Sequence, residues 1–256
     1  MKSLTLSTVG KTPTLLIDAD LFLYRAACIA EEATDWGDDI WSLSTDLKIA
    51  KSVFTDQINS FYDRLKSTDS IMCLSDSQNN FRKQVCDKYK SNRRNTRKPV
   101  GYKALVKWCE STFVSHRQNG LEADDVMGIL GSNPSFSTII VSDDKDLKTV
   151  PCTLYRPASD ELMKISLEEA DSNFYAMTLQ GDSTDGFSGC PRVGAVTARR
   201  ILGTRPDWSL VEKAFVKAGL DRDHAIQQAR LARILRMDDY NLDYGVQLYE
   251  PPRLTA

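Results

Sequence analysis

Histidine is scarce in this sequence: among 256 residues there are only two, His116 and His224. This scarcity argues against zinc proteases, histidine-metal nucleases and Ser-His-Asp hydrolases, whose chemistry depends on histidine. The six cysteines lie far apart and form no C-x-x-C pair, so we predict reduced thiols rather than a disulfide framework or a zinc knuckle. Any catalytic chemistry is therefore expected to come from carboxylates.

Long hydrophobic runs are also missing. No apolar stretch approaches the ~18 residues that suggest a membrane span, and residues 1–14 contain no hydrophobic signal-like region. We therefore expect a cytoplasmic protein without a membrane partner. With 41% hydrophobic and 27% charged residues, the composition is that of a globular chain with enough apolar side chains for a sizeable core.

The net charge of −2 conceals an uneven distribution. Residues 82–98 hold eight Lys/Arg and one acid, and residues 199–236 hold nine Lys/Arg against four acids. The rest of the chain is left with 16 basic and 30 acidic residues. Two basic blocks in an otherwise acidic chain favour phosphate binding beside a metal site, although solvated charged faces would produce the same composition.

Three short runs of mostly apolar residues each end at an aspartate. They are residues 14–17 before Asp18, residues 70–75 before Asp76, and residues 138–142 before Asp143 and Asp144. Such runs are typical of strands buried on both faces of a parallel sheet. Helical patterns separate them, including residues 47–65 with Ser44 or Thr45 as the N-cap, and a capping box at residues 166–169. We therefore predict the α/β class: a mostly parallel central sheet flanked by helices, with its ligand crevice at the carboxyl ends of the strands.

The composition of the sequence changes near residue 181. A turn rich in Gly, Asp and Ser is followed by short basic helical patterns without strand signals. We predict an α/β core over residues 1–180, which includes the basic segment 82–105, and a helical subdomain over residues 181–256.

Acidic residues fall into compact packets along the chain. These are Asp18-x-Asp20, Asp76, Glu122-x-Asp124-Asp125, Asp144-x-Asp146 and Asp182-x-x-Asp185. If the strand ends meet, all but Asp20 can converge on one crevice, where so many carboxylates require a countercharge. Hard divalent cations such as Mg²⁺ supply it, and two ions about 4 Å apart can generate hydroxide and stabilise a leaving oxygen in phosphodiester hydrolysis. Taken singly, each packet could also be a turn or a helix cap, and only one of Asp143 and Asp144 needs to face a metal.

In this order the packets, and the basic residues between them, resemble the flap-endonuclease/5′-nuclease superfamily. The matching stretches are Leu-Leu-Ile-Asp18, Asp76, Phe81-Arg82, Tyr89-Lys90-Ser-Asn-Arg93, Leu121-Glu-Ala-Asp-Asp-Val126, Ser142-Asp-Asp-Lys-Asp-Leu147, Gly181-Asp-Ser-Thr-Asp-Gly186 and Gly189-Cys-Pro-Arg-Val-Gly194. The closer likeness is to the short 5′-to-3′ exonucleases of podophages, through Lys98-Pro-Val-Gly-Tyr102 and Asp125-Val-Met-Gly128. The chain is also similar to the 5′ nuclease domain of bacterial polymerase I.

The resemblance implies a metal-dependent 5′-3′ exodeoxyribonuclease or 5′ flap endonuclease with a two-metal-ion mechanism. Its substrate would be DNA and, by family likeness, RNA in RNA–DNA hybrids. Two Mg²⁺ ions are implied, with Mn²⁺ as a substitute. The first metal would be held by Asp18, Asp76, Glu122 and Asp124, and the second by Asp125, Asp144, Asp146, Asp182 and Asp185.

The resemblance also implies roles for basic residues. Lys90 matches the family lysine that reaches the scissile phosphate, with Arg82 and Arg93 as companion cations and Tyr89 as a stacking residue. This basic segment would form part of an arch over the active site, with Lys83 and Arg94 as further DNA contacts.

Residues 189–198 resemble a helix-hairpin-helix, which holds duplex DNA through main-chain amides and often binds K⁺. The implied DNA contacts are Gly189, Arg192, Val193, Gly194 and Thr197. Arg192 stands where the family commonly has glycine, a departure that would either distort the turn or add a phosphate contact.

The expected partner is DNA with a free 5′ end, duplex or branched, and replication proteins are further expected partners of a monomeric chain. If the chain is phage-encoded, it would act in the cytoplasm of the bacterial host. One alternative is a PIN-type ribonuclease, against which the hairpin and the basic block count. A second is a catalytically inactive DNA-junction-binding protein, which loss of a metal carboxylate would have favoured.

Overall fold

The computed structural model describes residues 12–93 and 96–252, with the backbone alone at Arg93. Its strands, numbered in chain order, are β1 (Thr14–Asp18), β2 (Glu31–Asp35), β3 (Trp41–Thr45), β4 (Asp69–Leu74), β5 (Ser115–Arg117), β6 (Thr138–Val141), β7 (Thr153–Arg156), β8 (Glu161–Lys164), β9 (Tyr240–Asn241) and β10 (Gly245–Val246). Over these residues the central sheet has six strands in the order β5-β4-β1-β6-β7-β8.

The three strands predicted to end at aspartates lie side by side in the middle of this sheet. β1 pairs in parallel with β4 on one side and with β6 on the other, so that Ile17 lies opposite both Met72 and Val141. β5 and β7 extend the parallel part, and β8 is an antiparallel edge strand. The predicted mostly parallel sheet is confirmed, and three aspartate-bearing strand ends lie at one edge of it.

The described helices flank this sheet or follow it. They are α1 (Ala19–Ala30), α2 (Leu47–Leu65), α3 (Arg82–Val85), α4 (Tyr102–Thr112), α5 (Ala123–Gly131), α6 (Leu167–Gln180), α7 (Ala195–Leu202), α8 (Trp208–Lys217) and α9 (Arg222–Ala232). The predicted extent of α2 is confirmed, but its N-cap is Asp46, whose side chain accepts from the backbone N–H groups of Lys48 and Ile49. Ser44 and Thr45 are unavailable as caps because they lie in β3. The predicted capping box of Ser166 and Glu169 begins α6.

Apolar side chains cover both faces of the sheet. On one face Phe22 and Phe54, from α1 and α2, are fully buried, and on the other Met127 of α5 is fully buried. Because both faces are covered, the central strands consist of apolar runs rather than alternating residues.

A third apolar cluster joins the helical C-terminal region to the rest of the molecule. Phe174 of α6 packs with Trp208 and Phe215 of α8, and Leu235 returns to the cluster around α5. These contacts cross the predicted division between residues 180 and 181. The helical region therefore continues the packing of α6 and also contributes to the core of the sheet.

Residues 31–45 form an antiparallel hairpin of β2 and β3 that carries exposed Trp36 and Trp41. The base of this hairpin is held to the basic segment, because Glu31 accepts hydrogen bonds from the Arg97 guanidinium and the Val100 backbone N–H. Among the helices of the described ranges, none is both long and apolar enough to cross a membrane.

Candidate active site

An acidic crevice opens where β1 and β6 end and α5 begins. The carboxylates lining it belong to Asp18, Asp20, Glu122, Asp124, Asp143, Asp144, Asp146, Asp182 and Asp185. Its two halves share Lys90, Glu122, Asp124 and Asp144, so the crevice is continuous. The structure thus brings together seven of the nine carboxylates predicted as metal ligands.

Asp18 is held at the bottom of the crevice by both neighbouring elements. It is the last residue of β1 and the N-cap of α1, where its Oδ1 accepts from the Leu21 backbone N–H at 3.2 Å. Its Oδ2 accepts from the hydroxyl of Ser142 at 2.6 Å, and Ser142 is the residue that follows β6. Asp144 caps the next turn in a similar way, since its side chain accepts from the Asp146 backbone N–H at 2.8 Å.

Glu122 and Asp124 enter the crevice at the start of α5, where Glu122 is the N-cap. Lys90 Nζ donates to Glu122 Oε1 at 2.5 Å, and the Tyr89 hydroxyl donates to Glu122 Oε2 at 2.9 Å. Glu122 therefore links the acidic side of the crevice to the basic segment.

The remaining two carboxylates arrive on the loop after α6. Asp182 caps a tight turn by accepting from the Thr184 backbone N–H at 2.7 Å. The Asp185 backbone carbonyl accepts from the Lys90 N–H at 2.9 Å, and Asp185 Oδ2 lies 3.5 Å from Lys90 Nζ. Lys90 itself has a positive φ of 51°, an uncommon conformation for a residue other than glycine. Its backbone and side chain therefore both contact the same loop.

The electrostatics of the crevice are uneven. Burial, together with the charges of Asp20 and Asp144, raises the pKa of Asp18 to about 7. Burial and the charge of Asp144 likewise raise the pKa of Asp146 to about 7, and burial raises the pKa of Asp124 well above its usual range. A cation among these oxygens would favour their charged forms.

Glu122 shows the opposite behaviour, because cations already lie beside it. Burial acts to raise its pKa, but the charges of Arg82 and Lys90 lower it to about 2. Over the described residues, no group of three or more carboxylate, imidazole or thiol side chains lies close enough together to hold a metal ion as placed. The oxygen-only donors nevertheless suit Mg²⁺, which usually keeps several waters and takes only one or two carboxylates directly.

Asp76 and Asp125, the other two carboxylates that the resemblance implies as metal ligands, are not among the side chains that line the crevice. Asp76 closes a neighbouring loop: hydrogen bonds from the backbone N–H groups of Gly120 and Gln78 lower its pKa to about 2. Asp125 is fully buried, and both of its oxygens accept from the Arg82 guanidinium at 2.7 Å. Both oxygens of each carboxylate thus accept hydrogen bonds within the protein.

The residues predicted to contact the phosphate differ in how exposed they are. Lys90, Arg82 and Tyr89 all line the crevice, but Arg82 is only 2% exposed and Tyr89 only 3%. The Arg82 guanidinium donates to Asp125 and the Tyr89 hydroxyl donates to Glu122, so in this arrangement both side chains are engaged within the protein. Lys83 is exposed on α3. The Arg93 side chain and the whole of Arg94 lie outside the described residues.

The basic segment, predicted as part of an arch, is folded against the body of the protein over residues 82–93. Val85 accepts through its carbonyl from the Gln227 side chain of α9, and Lys90 contacts the loop after α6. A 3₁₀ turn covers Ser91–Arg93, and α4 begins at Tyr102.

The predicted hairpin lies in the loop between α6 and α7. Arg192 adopts a φ of +62°, the left-handed conformation that explains why glycine suits this position. Its side chain is exposed, as is Gly194, the N-cap of α7, while Val193 and Thr197 are half-buried. Gly189 is buried, and its N–H donates to Gln228 Oε1 at 2.9 Å.

Sequence reasoning missed Arg25. Its Nη1 lies 2.5 Å from Asp143 Oδ2 at the rim of the crevice, and its side chain is 42% exposed. The available signal was its position seven residues after Asp18, about two turns of α1 and hence the same helix face. Asp20, by contrast, has a local structural role, accepting from the Ser75 N–H and the Tyr102 hydroxyl.

A parallel sheet whose strand ends carry clustered carboxylates, next to a lysine and a helical region, is the architecture of an α/β nuclease. Residues 13–169 match the family model of the 5′-3′ exonuclease N-terminal resolvase-like domain. The chain is 31% identical to the exodeoxyribonuclease of Enterobacteria phage T3, over 93% of this chain and 92% of that protein. It is 30% identical to the exonuclease of Escherichia phage T7, over 93% of each.

A flap endonuclease of bacteriophage T5, solved as a complex with DNA and metal ions, shares the fold with a TM-score of 0.53. The match covers 72% of this chain and 80% of that one at 15% identity. Taken with the sequence matches, the chain belongs to the 5′-3′ exonuclease family and is a phosphodiester-hydrolysing nuclease. This confirms the resemblance drawn from the motifs and does not favour the PIN-type alternative.

Proposed function

We propose that this nuclease hydrolyses phosphodiester bonds near the 5′ end of duplex or branched DNA, with divalent cations bound in the acidic crevice. The observation that carries the proposal is the convergence of seven carboxylates and Lys90 on one continuous crevice. The T5 nuclease that shares the fold is described as a flap endonuclease in complex with DNA and metal ions, which supports the same substrate class.

The cations are proposed to be two Mg²⁺ ions, for which Mn²⁺ can substitute. The residues that would hold them are Asp18, Glu122, Asp124, Asp144, Asp146, Asp182 and Asp185. Bound there, such ions would activate water and stabilise charge on the leaving oxygen. The raised pKa values of Asp18 and Asp146 support this assignment, because burial and neighbouring carboxylates disfavour their charged forms and a bound cation would offset both effects.

The contribution of Lys90 is to place a positive charge beside the phosphate. Burial acts to lower its pKa, but the charges of Glu122 and Asp185 raise it, so the ammonium group stays charged at neutral pH. Arg25 adds a second cation at the rim of the crevice, where its ion pair with Asp143 leaves the guanidinium partly exposed. These two side chains would orient the substrate by its phosphate oxygens.

DNA outside the crevice is proposed to contact the start of α7. Exposed Gly194 and the backbone N–H groups of the first helical turn form an anion site without base readout, and Arg192 adds a charge beside it. Lys83, on the exposed side of α3, is a further proposed phosphate contact, as are Arg93 and Arg94. We also propose that the helix-hairpin-helix of residues 189–198 binds K⁺, and that the protein cleaves RNA in RNA–DNA hybrids.

The test is to incubate 5′-labelled and 3′-labelled duplex, flap and RNA–DNA hybrid with the protein in Mg²⁺ or in EDTA. We expect metal-dependent release of label from the 5′ end. Metal-independent cleavage, or attack from the 3′ end, would contradict the proposal. Binding of flaps without cleavage in Mg²⁺ or Mn²⁺ would instead support the inactive junction-binding alternative.

A further inference from the structure

A buried ion pair lies directly behind the crevice. Arg82 Nη1 and Nη2 donate to the two carboxylate oxygens of Asp125, each at 2.7 Å, in a bidentate arrangement. The side chains are 3% and 0% exposed. Bidentate arginine–carboxylate pairs combine strength with fixed geometry, so this pair can hold its surroundings in one arrangement.

The pair holds Glu122 at two points. The Glu122 backbone N–H donates to Asp125 Oδ2 at 3.1 Å, and Arg82 Nη1 also donates to Glu122 Oε2 at 3.3 Å. Glu122 in turn accepts from Lys90 at 2.5 Å. A continuous chain of contacts therefore runs from the buried pair, through Glu122, to the lysine of the crevice.

The same pair fastens the segment that follows α9. Arg82 donates to the backbone carbonyls of Leu231 and Arg233 at 3.2 and 2.5 Å, and Asp125 accepts from the Leu235 N–H at 3.2 Å. Leu231 is also part of the crevice wall. The pair thus connects three parts of the chain: the basic segment, the start of α5 and the end of the helical region.

We propose that Arg82 and Asp125 are positioning residues, which hold Glu122 and Lys90 at the distances that cation binding and phosphate contact require. The inference rests on the proposed function of the crevice. Asp125 is fully buried, and the Arg82 guanidinium donates to Asp125 and to two backbone carbonyls, so we assign neither residue a direct contact with substrate or cation. Residues that orient ligating groups in this way typically contribute about 10- to 100-fold to metal affinity or activity.

A competing role for Asp125, as a direct metal ligand, gives the opposite result when Arg82 is changed. Arg82→Lys retains a positive charge but removes the bidentate geometry and the contact to Glu122. If Asp125 were a ligand, weakening its pair would release its oxygens, and metal affinity would stay the same or rise. If the pair positions Glu122, metal affinity falls in Arg82→Lys and in Asp125→Asn alike.

The experiment measures Mn²⁺ binding to the DNA-free protein by electron paramagnetic resonance, together with kcat and KM on 5′-labelled duplex. The control is Asp171→Asn, which removes the charge of a partly exposed carboxylate beside another buried arginine, Arg236, whose Nη1 lies 2.6 Å from Asp171 Oδ1 and which also donates to the Thr149 carbonyl. We expect Mn²⁺ affinity and kcat to fall about 10-fold or more in Arg82→Lys and Asp125→Asn. KM should change little in these variants, and Asp171→Asn should keep wild-type metal affinity and kcat.

Wild-type Mn²⁺ affinity in both variants would overturn the proposal, as would an equal loss in Asp171→Asn. Loss in Asp125→Asn with unchanged affinity in Arg82→Lys would identify Asp125 as a direct ligand instead. If a single variant fails to fold, the double variant Arg82→Met/Asp125→Leu replaces the pair with apolar groups, a change that buried ion pairs often tolerate. It should fold and show the same loss of affinity. A wild-type protein that binds Mn²⁺ without cleaving DNA would refute the proposed function alone, because the affinity comparison is independent of cleavage.

Discussion

Gly189 and Gly194, both predicted to contact DNA, should respond very differently to alanine. At Gly189 a Cβ would lie 2.3 Å from the Gly181 backbone nitrogen and 2.6 Å from the Leu179 carbonyl oxygen, and φ is +64°. At Gly194 a Cβ would meet no heavy atom within 4 Å, and φ is −94°. We therefore expect Gly189→Ala to change stability and Gly194→Ala to change DNA binding.

The magnitude for Gly189→Ala follows from two costs. A left-handed conformation costs a residue with a Cβ roughly 1–2 kcal/mol, and overpacking against atoms that cannot move away costs about 1–3 kcal/mol. The free energy of unfolding should thus fall by about 2–5 kcal/mol, which for a chain of this size corresponds to about 4–20 °C in Tm. Backbone atoms form the obstruction, so side-chain rearrangement cannot relieve it.

Thermal melting and urea denaturation measure the stability change, and fluorescence anisotropy of a labelled duplex in Ca²⁺ measures binding without cleavage. Gly194→Ala is the matched control: its Tm should stay within about 4 °C of the wild type, because the free energy of unfolding changes by under ~1 kcal/mol. Its DNA affinity should fall, since the added methyl group lies beside the exposed amides of α7. A wild-type Tm for Gly189→Ala would refute the close backbone approach between residues 181 and 189.

Three further predictions concern the crevice and the hairpin. Asp144→Asn should retain DNA binding in Ca²⁺ but lose at least ~100-fold in Mg²⁺-dependent cleavage. Asp143, whose carboxylate pairs with Arg25 at the rim of the crevice, is the comparison: equal loss in Asp143→Asn would contradict the assignment of Asp144 rather than Asp143 as a ligand. Arg192→Gly should leave Tm unchanged or raise it, because the left-handed strain of roughly 1–2 kcal/mol disappears. In the same variant the slope of log DNA affinity against log salt concentration should fall by about one. The control is Arg192→Lys, which keeps the charge and should keep the slope. In EDTA, stability should fall as pH rises from 5 to 8, because the folded protein holds protons on Asp18 and Asp146 up to about pH 7, whereas the unfolded chain releases them near 3.8. Mg²⁺ should restore stability at pH 8. If the free energy of unfolding from urea denaturation in EDTA does not change between pH 5 and pH 8, the two carboxylates do not hold protons in the folded protein, which would contradict this prediction.

The sequence alone was sufficient for three central strands of the sheet and for the approximate position of the crevice. Buried parallel strands require continuous apolar runs, and three such runs ended at Asp18, Asp76 and Asp143. The 3,4 spacing likewise predicted the extent of α2. Its N-cap was misplaced because Ser44 and Thr45 belong to β3, a hairpin strand that no local pattern had indicated. The order of the acidic packets along the chain also indicated the nuclease family, which the comparisons confirmed.

Tertiary structure decided which members of those packets face the crevice. Asp124 and Asp125 are neighbours in sequence, but successive helical residues point about 100° apart, so one lines the crevice and the other is buried against Arg82. Arg82 and Tyr89 resembled phosphate-contacting residues, yet their partners lie 33 to 151 residues away in the chain. Local periodicity cannot reveal partners at such separations, because only the packing of α9 and α5 against the basic segment brings them together. The sequence therefore determined the chemistry available at the strand ends, and the tertiary structure determined which side chains present it to a substrate and which hold it in place.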